Sequence, residues 1–187
     1  LGKAALFFRS VQQKYDLQAL GIASFGPVDL HKNSGTYGYI TSTPKPGWIN
    51  TEVVGVFERE FGLPVGFDTD VNGAALGEHR WGAGQGVSTL IYLTVGTGIG
   101  GGVLTEGKLL HGMIHPETGH IMLPHDRSED PFEGVCPYHG DCLEGLASGP
   151  ALEARWGIPA EELAEDHPAW DLEAHYLAHA VAIYIGD

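Results

Sequence analysis

Apolar positions along this chain recur in two alternating rhythms. Ala4, Ala5, Phe8 and Val11 fall at helical spacing and predict a helix over about 3–14. The run Ala19-Leu-Gly-Ile-Ala-Ser-Phe-Gly26 is short, continuous and apolar, as a buried strand requires, and Pro27 stops it. From His31 to Trp48 the pattern dissolves into Gly, Ser, Thr and Pro, which predicts a loop. A second helix is expected over 51–61, with Asn50 or Thr51 as N-cap and Gly62 as its stop. A strand from Pro64 to Phe67 runs into Asp68-Thr69-Asp70, and a helix over 71–80 starts at once. Two strands follow, Thr89 to Val95 and about Gly100 to Leu104, joined by a glycine-rich turn. Helices return over 149–156, 160–165 and 171–185. Helix and strand in this alternation point to an α/β fold.

Composition narrows the partners. A chain of 187 residues, 43% of them hydrophobic, can bury a core as one domain or as parts of two. The formal net charge of −14 argues against a nucleic-acid backbone, because phosphate neutralisation needs clustered Lys and Arg. No apolar run approaches the length of a membrane span, and no signal peptide opens the chain. The chain starts without Met inside one helical pattern and ends inside another, so truncation at both ends is expected.

The segment Cys136-Pro-Tyr-His139-Gly-Asp-Cys142 sets two thiols and an imidazole at i, i+3 and i+6. One loop can wrap a metal ion at that spacing, and sulfur with imidazole selects zinc over calcium or magnesium. His120, 16 positions upstream of Cys136, offers a fourth ligand. Two thiolates and two neutral imidazoles neutralise a divalent ion, which suits a closed structural site. The competing reading is a disulfide between Cys136 and Cys142, the only two cysteines. His111, His115 and His125 are rivals to His139 as ligand, whereas His175 and His179 read as surface or packing residues.

Three further features carry chemistry. Gly96-Thr97-Gly98-Ile99-Gly100-Gly101-Gly102 contains the GxGxxG string, but a dinucleotide fingerprint must open a helix, and here a strand follows. A glycine hairpin of this kind is either a plain tight turn or a nest of N–H groups for phosphate, with Thr97 adding a hydroxyl. Asp70, where a strand meets a helix, is either an N-cap or a carboxylate placed to accept a proton from an attacking hydroxyl. Asn72 beside it is helix surface or a support for the site. Glu117 and Glu144 flank the proposed metal ligands, three residues before His120 and two after Cys142. A metal would fix their spacing, and rigid acceptors of that kind suit sugar hydroxyls. The alternative is two solvated acidic residues.

Taken together, these motifs resemble the ROK family of sugar kinases, and within it the zinc-containing bacterial fructokinase branch. The resemblance runs through Gly21 to Asp29, Thr43 to Trp48, Phe67 to Glu78, Thr94 to Gly100, His115 to His120, Cys136 to Glu144 and Gly145 to Pro150. It implies the actin-like ATPase (ribonuclease H-like) fold of two lobes, with residues 1–70 in the smaller N-terminal lobe and 71–187 opening the larger one. It implies Asp70 as general base, and Glu117, His120, Glu144 and Asn72 as sugar-binding residues. Gly96, Thr97 and Gly98 would meet phosphate, and His120, Cys136, His139 and Cys142 would hold structural zinc, His120 giving one ring nitrogen to metal and the other to sugar. The implied reaction transfers the γ-phosphoryl group of Mg-ATP to a hexose, fructose giving fructose 6-phosphate, in a cytoplasmic homodimer. Two positions depart from the usual pattern: Thr69 stands where many members have Asn, and His139 where they have a third Cys. The family's N-terminal Asp-x-Gly-Gly-Thr-Lys loop is missing, so the 187-residue piece alone is expected to be poorly active. Rival readings are a ROK-type sugar-sensing repressor and a zinc-stabilised sugar-binding module without catalysis.

Overall fold

The computed structural model describes residues 1–186. The chain divides into two compact units, residues 1–90 with 102–115 and residues 91–101 with 116–187, and it passes between them within two strands of a hairpin.

The first unit begins with helix α1 (Gly2–Gln12) and strand β1 (Leu20–Ser24). The short strands β2 (Tyr39–Ile40) and β3 (Thr51–Glu52) pair antiparallel, then helix α2 (Val54–Phe61) leads to β4 (Val65–Thr69) and α3 (Asp70–Trp81). β1 and β4 run parallel in the register Leu20↔Val65 to Ser24↔Thr69, and α3 packs on both. Between them Leu20, Ile40, Val53, Val54, Phe57, Phe61 and Val65 close one core, reinforced by Phe8 edge-on to Phe57. The predicted start of the second helix shifts. Thr51 is taken into pairing with Ile40, and Asn50 adopts a left-handed φ of 54°, so neither caps the helix, which opens at Val54. Gly62 stops it in the left-handed conformation, as expected.

Strands β5 (Thr89–Val95), β6 (Ile99–Thr105) and β7 (Lys108–Leu109) form an antiparallel meander in that order, with β6 and β7 paired through Leu104↔Leu109. The glycine string therefore joins strand to strand, as the sequence predicts, and opens no helix. Gly102 has a packing reason of its own: a Cβ there would lie 2.2 Å from the Val71 carbonyl oxygen, so β6 meets the first turn of α3 backbone to backbone.

The second unit is helical around its loop. Helix α4 (Leu143–Ala147) packs on α5 (Gly149–Trp156) and on α6 (Ala169–Ile185). Ile99, Leu123, Leu143, Leu146, Ala147, Tyr176 and Ala180 form its main core. α4 was not anticipated: five residues with a central glycine lack helical periodicity, and burial rather than propensity makes them a helix. The helix expected over 160–165 is a single 3₁₀ turn, Ala160–Glu162. No helix among the described residues is long and apolar enough to cross a membrane.

A buried polar group sits between α5 and α6. Asp130 accepts hydrogen bonds from Tyr176 Oη at 2.6 Å and Arg155 Nη2 at 3.2 Å, and Arg155 stacks over Phe132. Burial alone would raise the Asp130 pKa, but these donors and the Arg155 charge outweigh it and hold it low. Glu173 is less well served. Only 8% exposed, it has no hydrogen-bond partner for either carboxylate oxygen among the described residues. Burial pushes its pKa up to about 7 against the opposing pull of Arg155. An acid raised in the folded state binds its proton more tightly there, so stability should fall as pH rises from about 4.5, its unfolded value, through 7. Glu173→Gln is expected to flatten that slope and stabilise the protein at pH 8 by about 2–3 kcal/mol, seen as a higher urea midpoint.

Candidate functional site

In the first unit the β4–α3 junction decides what Asp70 is free to do. The helix cap is Thr69, whose Oγ1 accepts the Asn72 N–H at 3.2 Å. Asp70 occupies the first helical position instead, exposed, with Oδ1 on the Val71 N–H at 3.0 Å. The capping role that sequence alone leaves open for Asp70 thus falls to its neighbour, and a solvent-facing carboxylate is left at the carboxyl end of a parallel strand, beside the positive end of a helix. Asn72 is fully buried. Its Nδ2 donates to Asp68 Oδ1 at 2.7 Å and lies 3.4 Å from His111 Nε2 and 3.5 Å from His115 Nδ1, while its Oδ1 has no partner among the described residues. Asp68 and His111 form a pair at 2.8 Å. Asp68, the residue before the cap and two before Asp70, was given no role from the sequence.

In the second unit the four predicted ligands meet. The side-chain donors of His120, Cys136, His139 and Cys142 all lie within 4.8 Å of one another. His120 Nδ1 is 3.5 Å from Cys142 Sγ and 3.7 Å from Cys136 Sγ, and His139 Nδ1 is 3.7 Å from Cys136 Sγ. His120 therefore faces the sulfurs with Nδ1, and its Nε2 points to the other side of the ring. Both cysteines are free and buried, while His139 is exposed. Local pairing shapes the loop: Cys136 bridges Gly140, and Met122 bridges Cys142. Burial, followed by the neighbouring Cys136, pushes the Cys142 thiol up to about 11, opposed by the amides of Gly145 and Glu144. A thiolate here needs a cation to compensate it, and this donor set fits a metal ion.

The rival histidines are engaged elsewhere. His125 holds Asp141 Oδ2 at 3.1 Å and the Asp130 carbonyl at 2.9 Å, and His111 holds Asp68.

Glu144 follows two residues after Cys142, in the first turn of α4. Its Oε2 accepts the Ile99 N–H at 2.9 Å, so the carboxylate reaches the hairpin turn that carries Gly96, Thr97 and Gly98. A side chain at position 98 would collide with it, since a Cβ on Gly98 would stand 2.7 Å from Oε2. The turn is further tied by the Gly149 N–H to the Gly96 carbonyl at 2.7 Å, and Thr97 is exposed at its tip. Glu117 is exposed just before the 3₁₀ turn Thr118–His120. The Ile99 and Gly149 contacts were invisible in the sequence, because backbone donors carry no residue signature.

The ROK family pattern matches residues 3–186, and the chain belongs to that family. It is 54% identical over 184 residues to a fructokinase of Zymomonas mobilis, covering 96% of this chain and 61% of that protein. It is 49% identical over 164 residues to a fructokinase of Lactococcus lactis, covering 88% and 56%. Among solved structures it resembles a ROK hexokinase from Thermus thermophilus with a TM-score of 0.73 and 34% identity, covering 90% of this chain and 58% of that one. The α/β architecture is thus the actin-like ATPase fold of the ROK sugar kinases. The chain spans about three fifths of the length of the curated relatives it matches.

Cobalt(II) added to metal-free protein is expected to saturate at one equivalent per chain with the absorption of a tetrahedral, sulfur-ligated ion. Cys142→Ser should shift those bands and weaken binding at least about ten-fold.

Proposed function

We propose that the whole protein is an ATP-dependent hexose kinase that converts fructose to fructose 6-phosphate. The observation that carries the reading is the identity of 54% and 49% to proteins named fructokinase, against 34% to one named hexokinase.

The chemistry follows from the residues. Asp70, exposed and relieved of capping, accepts the proton of the sugar 6-hydroxyl as that oxygen attacks the γ-phosphorus. The bond from the γ-phosphorus to the bridging oxygen breaks, ADP leaves with that electron pair, and the proton passes from Asp70 to water. Magnesium bound with ATP supplies neutralising charge on the phosphates. Thr97 and Gly98 present hairpin N–H groups and a hydroxyl to phosphate, while the Gly96 N–H closes the turn on the Gly98 carbonyl at 2.9 Å. Glu117, Glu144 and the Nε2 edge of His120 read the sugar hydroxyls, and Asn72 braces the β4–α3 junction from inside. Most of the acceleration is positioning, so these groups contribute by holding the hydroxyl in line.

Zinc is the ion this reading assigns to the four-ligand site. Zinc–sulfur and zinc–nitrogen bonds of about 2.3 and 2.0–2.1 Å at tetrahedral angles put mixed ligand atoms about 3.6 Å apart. Three of the four nitrogen–sulfur separations are 3.5–3.7 Å, and all four ligand atoms lie within 4.8 Å of one another. Its role is structural: all four positions are protein ligands and none is left for substrate. A homodimer in the cytoplasm completes the reading and rests on the family resemblance alone.

Asp70→Asn in the whole protein should lower kcat at least about a hundred-fold while fructose affinity, measured by calorimetry, changes less than about three-fold. Retention of a tenth of wild-type turnover would remove Asp70 as the base. Chelation of the metal should lower the melting temperature and raise the fructose KM together. A metal-free preparation with both unchanged would sink the structural role.

A further inference from the structure

We propose that Tyr184, in the last turn of α6, is a positioning residue for the sugar: its hydroxyl holds the turn that carries Glu117 and His120 in register with Glu144. The inference rests on the kinase reading above and adds one residue to it, inside the second unit.

The turn Thr118–His120 has few holds of its own. Its backbone bonds run from the His120 N–H to the Glu117 carbonyl at 3.0 Å and from the Ile121 N–H to the Thr118 carbonyl at 3.4 Å. A single 3₁₀ turn with bonds of this kind is a weak element. The Thr118 hydroxyl adds nothing, since its Oγ1 is buried without a hydrogen-bond partner among the described residues. Contacts from elsewhere in the unit fix the turn instead. Gly119 lies directly on the backbone of Ile99, where a Cβ would stand 1.8 Å from the carbonyl oxygen. His120 faces the two sulfurs, and the Ile121 carbonyl accepts the Leu143 N–H at 2.9 Å. Tyr184 Oη donates to the Thr118 carbonyl at 2.6 Å, across 66 residues of sequence. Of these contacts, the tyrosine acts at the residue next to Glu117. Its ring packs against the core built by Ile99, Leu143 and Leu146, so the hydroxyl is offered from a fixed base. Burial raises the pKa of the phenol, which keeps it a donor at neutral pH.

The position of Ile99 gives this bond a functional consequence. Its carbonyl side underlies Gly119, and its N–H is held by Glu144 Oε2 at 2.9 Å. One residue of β6 is therefore the shared reference for the turn and for Glu144. Holding the turn against it sets the spacing of the acceptors offered to the sugar. Without the hydroxyl, the ring still fills its place, but the Thr118 carbonyl keeps only the long bond from Ile121. A sugar must then order the turn as it binds. That cost falls on sugar affinity, because these acceptors meet the same hydroxyls before and during transfer.

The test compares Tyr184→Phe with Leu177→Ala in the whole protein. Leu177 belongs to the same helix and packs on the same core, but its side chain has no group that can bond the turn. Tyr184→Phe should raise the fructose KM about five-fold, the loss of one neutral hydrogen bond, with kcat within about two-fold and the ATP KM unmoved. Hydrogen exchange at the amides of His120 and Ile121 should quicken in the same variant. Leu177→Ala should lower the melting temperature at least as far, yet leave the fructose KM within about two-fold of wild type. An unchanged fructose KM in Tyr184→Phe, a fall in kcat at constant KM, an equal rise in both KM values, or the same rise in Leu177→Ala would overturn the proposal. If wild-type protein phosphorylated no hexose the kinase reading itself would fail, whereas unchanged exchange in Tyr184→Phe would separately show that its hydroxyl does not hold the turn.

Discussion

The segment from Pro116 to Cys142 depends on the meeting of four side chains. It has one 3₁₀ turn and isolated bridges in place of regular elements, yet it delivers Glu117 and His120 and hands on to Glu144. A stretch of that length without a helix or sheet of its own does not keep a unique path by backbone bonding. The convergence of His120, Cys136, His139 and Cys142 adds a constraint to those made by Asp130 with Tyr176 and Arg155 and by His125 with Asp141, and it draws on two buried sulfurs, Cys136 and Cys142. α4 begins at Leu143, directly after the last sulfur, and packs on α5 and α6.

A second constraint acts at the β4–α3 junction, where capping and the proton transfer proposed for Asp70 would draw on the same few residues. A carboxylate that caps a helix is committed to backbone amides and poorly placed to take a proton. Thr69 resolves the conflict by capping in place of Asp70, with a side chain short enough to stay buried. This gives the threonine a physical role that asparagine would fill equally well.

What the sequence disclosed depended on whether the interaction was written in side chains. The candidate metal ligands were legible because sulfur and imidazole at i, i+3 and i+6 have few other uses, and the structure brings those three and His120 together. The hairpin was legible because three glycines followed by Val103-Leu104 cannot continue as a helix. By contrast, the start of α2 was misjudged because Thr51 is drawn into pairing with Ile40, a long-range event that local capping rules do not weigh. Helix α4 was missed because Gly145 signals a break, whereas tertiary packing needs glycine there: a Cβ would stand 1.8 Å from the Gly140 carbonyl oxygen. Asp68 was passed over because its partner His111 lies 43 residues away, a distance no motif spans.

The hydrogen bond from Ile99 to Glu144 joins two pieces of chain with separate sequence identities, a glycine turn and the exit of the metal loop. Its consequence is modularity lost. A chimera that exchanged the cysteine loop between relatives would change the anchor under Glu144 and, through it, the shape of the glycine turn. One that exchanged the turn would keep this contact only if the incoming backbone held its amide in the same place, since any residue but proline supplies the N–H. Recombination between the two segments should therefore be tolerated best when both come from the same parent.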